Sequence, residues 1–153
     1  MSKSYRQGKY KVINYLKYEG DPTNVIYRSS WERILLNWLD LSANVISFSS
    51  EEVVIPYWDE SSQKHRRYFM DFKAKFKQKD GSIKTYLIEV KPHSQTQPPR
   101  NSKNKRVLME AVATYQTNQC KWNAAKKYCD ERGWHFMIVT EYELGLKKRS
   151  GTH

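Results

Sequence analysis

The sequence predicts an α/β sandwich, with helices flanking a mixed four-stranded sheet, and three patterns predict it. Apolar residues recur at helical spacing in "SSWERILLNWLD", residues 29–40, and again from about Ser102 to Arg132. Alternation runs through "RYFMDFKAKF", where Tyr68, Met70, Phe72, Ala74 and Phe76 are apolar while Asp71, Lys73 and Lys75 intervene. A nearly all-apolar run, "WHFMIVT", follows the second helical stretch, as expected of a strand covered on both faces.

A chain of 153 residues with 39% hydrophobic content and 5 Trp, 11 Tyr and 5 Phe can bury a single core, which excludes intrinsic disorder. Residues 1–28 are expected as a basic irregular arm, 29–144 as the core and 145–153 as a frayed tail. The formal charge of +11 favours an anionic partner, and nucleic acid is the commonest one. No apolar run is long enough to span a bilayer, and "MSKSYRQGKY" lacks the apolar stretch of a signal peptide, so a soluble intracellular protein with no membrane partner is expected. Cys120 and Cys129 fall on opposite faces of one helix and match no zinc spacing, which predicts reduced thiols.

The elements follow in order. In the first helix Trp31, Ile34, Leu35, Trp38 and Leu39 form one face, and Ser29 with Glu32 has the spacing of a capping box. "NVISFSSEEVVIPYW" reads as one strand, "RYFMDFKAKF" as the next and "IKTYLIEVK" as its hairpin partner. The second helical stretch carries Leu108, Ala111, Val112, Tyr115, Trp122, Ala125 and Cys129 on one stripe. It reads as one helix or as two, with Thr117 or Asn118 capping the second, and Gly133 ends it. A strand, a helix and another strand make a right-handed crossover, so the last strand lies parallel to the one carrying Glu89. The order is helix, three antiparallel strands, helix, strand.

The turn "QKDGS" decides what Asp71 faces. With Asp80 and Gly81 as a two-residue turn, Asp71 falls opposite Val90, and Asp71 and Glu89 point to opposite faces. With Lys79, Asp80 and Gly81 as a three-residue loop, or with five residues, Asp71 falls opposite Glu89 and Lys91 shares that face. Opposed carboxylates repel, and either the surrounding lysines or a divalent cation can compensate them. A hard cation such as Mg²⁺ takes oxygen ligands and keeps several waters, which suits two carboxylates and one carbonyl.

"MDF" and "IEVK" across a hairpin, between a helix bearing a glutamate and a later helix and strand, resemble the PD-(D/E)XK nuclease superfamily. With "KYEGDPTNVIYRSSWE" added, the chain is similar from Lys9 to Glu143 to the head completion nucleases of T-even-like tailed phages, and more distantly to TnsA transposon-end endonucleases. The resemblance implies a restriction-endonuclease-like fold and a DNA endonuclease dependent on Mg²⁺, with Mn²⁺ as a substitute. It implies Asp71, Glu89 and the Val90 carbonyl as metal ligands, Lys91 as catalytic lysine and Glu32 as the upstream acid. Met70 stands where the motif's name has proline. A capping box needs the same glutamate, so cap and ligand both remain open for Glu32.

The stretch "HSQTQPPRNSKNKR", with Arg100, Lys103, Lys105 and Arg106, reads as a loop that tracks a phosphate backbone. Gln119 reads as a DNA contact or as a polar residue at a helix junction, and Lys121, near a helix start, as a phosphate contact or a surface charge. The resemblance implies duplex DNA and phage head or neck proteins as partners, a homodimer as one route to double-strand cutting, and action in the host cytoplasm or on the virion. It places that action on packaged DNA ends, before the tail joins. The rivals are a structural neck protein that binds DNA without cutting it, and a transposition or repair nuclease of the same fold.

Overall fold

The computed structural model describes residues 7–149, so the first six residues of the arm and residues 150–153 of the tail lie outside the described residues. In chain order the elements are β1 (Gly8–Tyr10), β2 (Val25–Tyr27), α1 (Ser30–Leu41), β3 (Val45–Ser50), β4 (Val54–Asp59), β5 (Lys64–Phe69), β6 (Phe72–Lys77), β7 (Ile83–Val90), α2 (Lys105–Arg132) and β8 (His135–Val139). The central sheet has the order β3-β6-β7-β8. Its first three strands are antiparallel, and β8 runs parallel to β7 with Glu89 opposite Ile138. The crossover through α2 therefore does what the sequence pattern requires. The expected order of helix, three strands, helix, strand holds for this sheet, with a hairpin, β4–β5, inserted.

That insertion corrects the two long strands expected from sequence. "NVISFSSEEVVIPYW" breaks at Glu51, whose φ of 55° is left-handed, and "RYFMDFKAKF" bends at Asp71. The even positions stay apolar through the bend but change cores. Tyr68 and Met70 pack with Leu87, Trp122 and Ala125 beneath α2, whereas Phe72 and Ala74 pack with Leu36, Leu39 and Phe48 beneath α1. Unbroken alternation thus conceals a switch from one face of the sheet to the other.

Two further expectations are corrected, and the choice between one and two helices for the second helical stretch is decided. The arm is not irregular throughout, because β1 pairs with β2, and Val12, Tyr18 and Val25 enter the core. α1 buries Leu36 and Asp40 and leaves Ile34 and Trp38 partly exposed, since the arm covers one flank of the helix. α2 is one continuous helix, capped by the Asn104 side chain, which accepts from the amides of Arg106 and Val107. Weak helix formers at Thr117 and Asn118 are overruled by packing, with Asn118 buried. Gly133, at φ 71°, closes the helix where the Trp134 amide reaches the Cys129 carbonyl at 2.8 Å.

At the sheet edge β8 is only half-buried rather than covered on both faces. The tail is packed at its start, with Leu146 against the α1-side core. Cys120 and Cys129 are both free thiols, and no helix among the described residues is long and apolar enough to cross a membrane.

Candidate active site

The hairpin turn sets the geometry. The Gln78 amide donates to the Ser82 carbonyl at 2.8 Å and the Gly81 amide to the Gln78 carbonyl at 3.0 Å, leaving Lys79, Asp80 and Gly81 as the loop. Gly81 takes φ +88°, the left-handed position that this loop demands. Asp80 braces it by accepting from the Ser82 amide and hydroxyl. From there the ladder runs from Lys77 opposite Ile83 to Phe72 opposite Ile88. One further step puts Asp71 beside Glu89, the three-residue alternative of the sequence reading.

Asp71 leaves the ladder at the bend and turns its carboxylate back to the next strand. Its Oδ2 accepts from the Val90 amide at 2.8 Å. The bend is pinned on the other side, where the Glu51 amide donates to the Asp71 carbonyl at 3.1 Å and the Met70 amide to the Val53 carbonyl at 2.9 Å. Glu89 is 4% exposed on the α2 side of the sheet. Lys91 follows two residues on, and its Nζ lies 3.6 Å from Glu89 Oε1. Its own amide continues the pairing with β8 by donating to the Val139 carbonyl at 3.0 Å. Two carboxylates and an ammonium are therefore gathered where β6 and β7 diverge.

Glu32 is buried at the start of α1 and acts as a cap. Its amide donates to Ser29 Oγ at 3.2 Å, and its carboxylate accepts from the Ser29 hydroxyl at 3.2 Å and from the Arg28 amide at 3.3 Å. This end of α1 faces the same region. The Arg28 guanidinium, paired with Glu51 at 2.9 Å, is pushed up by Glu51 first and then by the Glu32 and Asp71 carboxylates. Glu32→Gln separates the two roles, because glutamine still caps. If Glu32 is part of the reaction centre, the variant keeps its melting temperature and loses at least about tenfold in cleavage rate. Cleavage at the wild-type rate would leave Glu32 as a cap alone.

The basic stretch runs into the start of α2. Arg100, Lys103, Lys105 and Arg106 are exposed around the start of α2, and Arg106 pairs with Glu110 at 3.3 Å. Gln119 is half-buried, and the buried polar residue of the helix stripe is its neighbour Asn118. Lys121 sits within α2 rather than at a helix start, with its Nζ 5.5 Å above the Tyr68 ring. His93 is turned to Glu141 and Tyr142, its amide donating to Glu141 at 2.8 Å.

Sequence reading missed two neighbours of the carboxylates. Tyr68 Oη and Trp122 Nε1 are buried beside one another and next to Glu89. Burial, with the Glu89 and Asp71 charges behind it, pushes the Tyr68 phenol far up, so it stays a protonated donor. Only its place in the alternation marked it, and that pattern gave it to the core.

The donor chemistry fits a hard cation. Among the described residues no three His, Cys, Asp or Glu side chains group closely enough to hold a metal ion. The Asp71 and Glu89 carboxylates, with the Val90 carbonyl adjoining, offer only oxygens. A cation that keeps much of its own water needs no more than this.

Comparison with known proteins agrees with the geometry. Residues 42–141 match the family model described as "TnsA-like endonuclease N terminal". The chain is 40% identical over 139 residues to the head completion nuclease of Enterobacteria phage T4, covering 88% of this chain and 90% of that protein. No solved structure matches significantly. A mixed four-stranded sheet with two helices is the restriction-endonuclease-like arrangement of such enzymes. The chain belongs to the TnsA-like endonuclease family of PD-(D/E)XK-type nucleases, in its head completion nuclease branch.

Proposed function

We propose that this endonuclease hydrolyses DNA phosphodiester bonds in a reaction dependent on Mg²⁺, with Mn²⁺ as a substitute, at the centre formed by Asp71, Glu89 and Lys91. The observation that carries this reading is the placement of Asp71 beside Glu89 with the Lys91 ammonium 3.6 Å from the Glu89 carboxylate. Asp71, Glu89 and the Val90 carbonyl would hold the cation, which supplies an activated water and neutralises charge on the phosphate. Lys91, one-fifth exposed, reaches the substrate side of the pair and stabilises charge as it develops on the phosphate. The Val90 amide fixes the Asp71 carboxylate through its 2.8 Å bond, so that it does not rotate away. Arg100, Lys103, Lys105 and Arg106 add sequence-blind, salt-dependent affinity for the backbone.

In the particle the substrate would be the ends of packaged DNA, met before the tail joins, with head or neck proteins as partners. That work belongs to the host cytoplasm or the virion. One centre cuts one strand, so a double-strand break takes two copies or two visits.

The test is incubation of linear and supercoiled duplex DNA with purified protein in Mg²⁺ and in EDTA. The expected result is cutting of both substrates in Mg²⁺ only. Protein that binds DNA yet cuts neither form in Mg²⁺ would point instead to a DNA-binding neck component.

A further inference from the structure

The β4–β5 ribbon has an outward face that its fold does not require. In the register of this pair, Val54 faces Phe69, Pro56 faces Arg67 and Trp58 faces His65, and all six are exposed. The alternate positions Ile55, Tyr57 and Tyr68 are buried against α2 and the sheet. A ribbon with one solvated face is expected to be polar on it. This one instead presents Trp58 at 39% exposure and Phe69 at 47%. An exposed apolar face with no structural task points to a ligand.

The guanidinium and imidazole on this face point to the ligand. The Arg67 guanidinium lies 5.4 Å from the centre of the Phe69 ring, and the His65 ring lies 4.8 Å from that of Trp58. None of the six positions carries a carboxylate. Aromatic rings set beside a guanidinium form the kind of surface on which nucleic acid bases stack while the backbone is held. Bases inside a duplex keep their faces against one another, so only unpaired bases can use such rings. The face is rigid as well. At its far end Asp59 accepts from the Ser61 amide, the Ser62 hydroxyl and, across to α2, the Thr117 hydroxyl at 2.9 Å. At its near end Phe69 stands two residues before Asp71 in the chain.

We propose that the outward face of the β4–β5 ribbon binds unpaired DNA, stacking bases on Trp58 and Phe69 and holding the backbone with Arg67 and His65. This deepens the reading above and rests on it. The substrate class it names is DNA with a single-stranded or frayed segment next to the cut.

Fluorescence anisotropy with a labelled single strand and with a closed-end duplex of the same sequence, both in EDTA, tests it. The double variant Trp58→Ala, Phe69→Ala is expected to bind the single strand at least about tenfold more weakly, as stacking energies require, with less than a twofold change on the duplex. Trp58→Tyr with Phe69→Tyr restores the rings and brings single-strand affinity back to within about threefold of wild type. Single-strand binding unaffected by loss of both rings overturns the proposal, as does an equal loss on duplex or a failure of the tyrosine pair to restore binding. The first of these would leave the face to a protein partner. The wild-type protein is assayed in Mg²⁺ alongside. If it cuts DNA while the rings prove irrelevant, this proposal alone falls. If it neither cuts nor binds, the nuclease reading falls with it.

Discussion

Lys91→Ala is expected to lower the rate of DNA cleavage in Mg²⁺ by about 10²–10³-fold, the loss seen when one group that stabilises developing charge is removed. The ammonium lies 3.6 Å from Glu89 and is 21% exposed, so it is turned neither wholly into the core nor wholly to solvent. Folding should change little, because the backbone bond from Lys91 to the Val139 carbonyl does not involve the side chain. DNA affinity should fall by less than about threefold if, as proposed, the exposed cations at the start of α2 make the backbone contacts. The substitution thus separates chemistry from binding. Equal cleavage by Lys91→Ala and wild type would remove Lys91 from the centre, and a parallel loss of binding would assign it to the substrate grip instead.

Asp40→Ala is expected to be the most damaging single change outside the site. Asp40 is fully buried, and its carboxylate accepts from the Tyr10 hydroxyl at 2.8 Å, the Ile13 amide at 2.7 Å and the Asn14 amide at 3.0 Å. It ties the N-terminal arm to the end of α1. There Lys17 donates to the carbonyls of Leu39, Asp40 and Ser42 at 2.8–2.9 Å, complementing the negative end of the helix. Removing the acceptor strands partly buried donors, at about 2–4 kcal/mol in all. For a chain of this size that lowers the melting temperature by about 5–15 °C.

The loss should shrink in acid. Burial works to raise the Asp40 pKa, but the Ile13 and Asn14 amides outweigh it and hold the carboxyl below its ordinary value. A group depressed in the folded state stabilises above its unfolded pKa, about 3.9 for aspartate, and that contribution disappears as pH falls through the lower folded value. Thermal melts of both proteins at pH 7 and pH 3 measure the difference. A gap that is as wide at pH 3 as at pH 7 would mean that packing, not the ionised acceptor, is what Asp40 supplies.

How much of this could be read from the residues varies by element. The hairpin register was readable because "QKDGS" offers only a few loop lengths, and one of them sets Asp71 beside Glu89. The parallel last strand followed from the handedness of crossovers. The inserted ribbon did not show, since Tyr68, Met70, Phe72 and Ala74 keep their parity while passing from one core to the other. Phe69, an apolar residue on the polar parity of that run, was the sign of a second exposed surface. Glu51 gave no warning either, because a left-handed residue without glycine or asparagine carries no local signal. At the candidate site, spacing brought Asp71, Glu89 and Lys91 together and the family resemblance gave them their roles, whereas Tyr68 and Trp122 look like any buried aromatic until their place beside Glu89 is seen.

The central claim is that Asp71, Glu89 and Lys91 form one metal-dependent DNA-cutting centre, and the most direct measurement is a single cleavage time course on linear duplex. Wild-type protein in Mg²⁺, wild-type protein in EDTA, and Lys91→Ala in Mg²⁺ are purified and run in parallel. The account predicts cutting in the first reaction, none above background in the second, and in the third a rate lower than the first by about 10²–10³-fold. Cutting at the same rate in all three would contradict it, because neither the cation nor the lysine would then belong to the reaction.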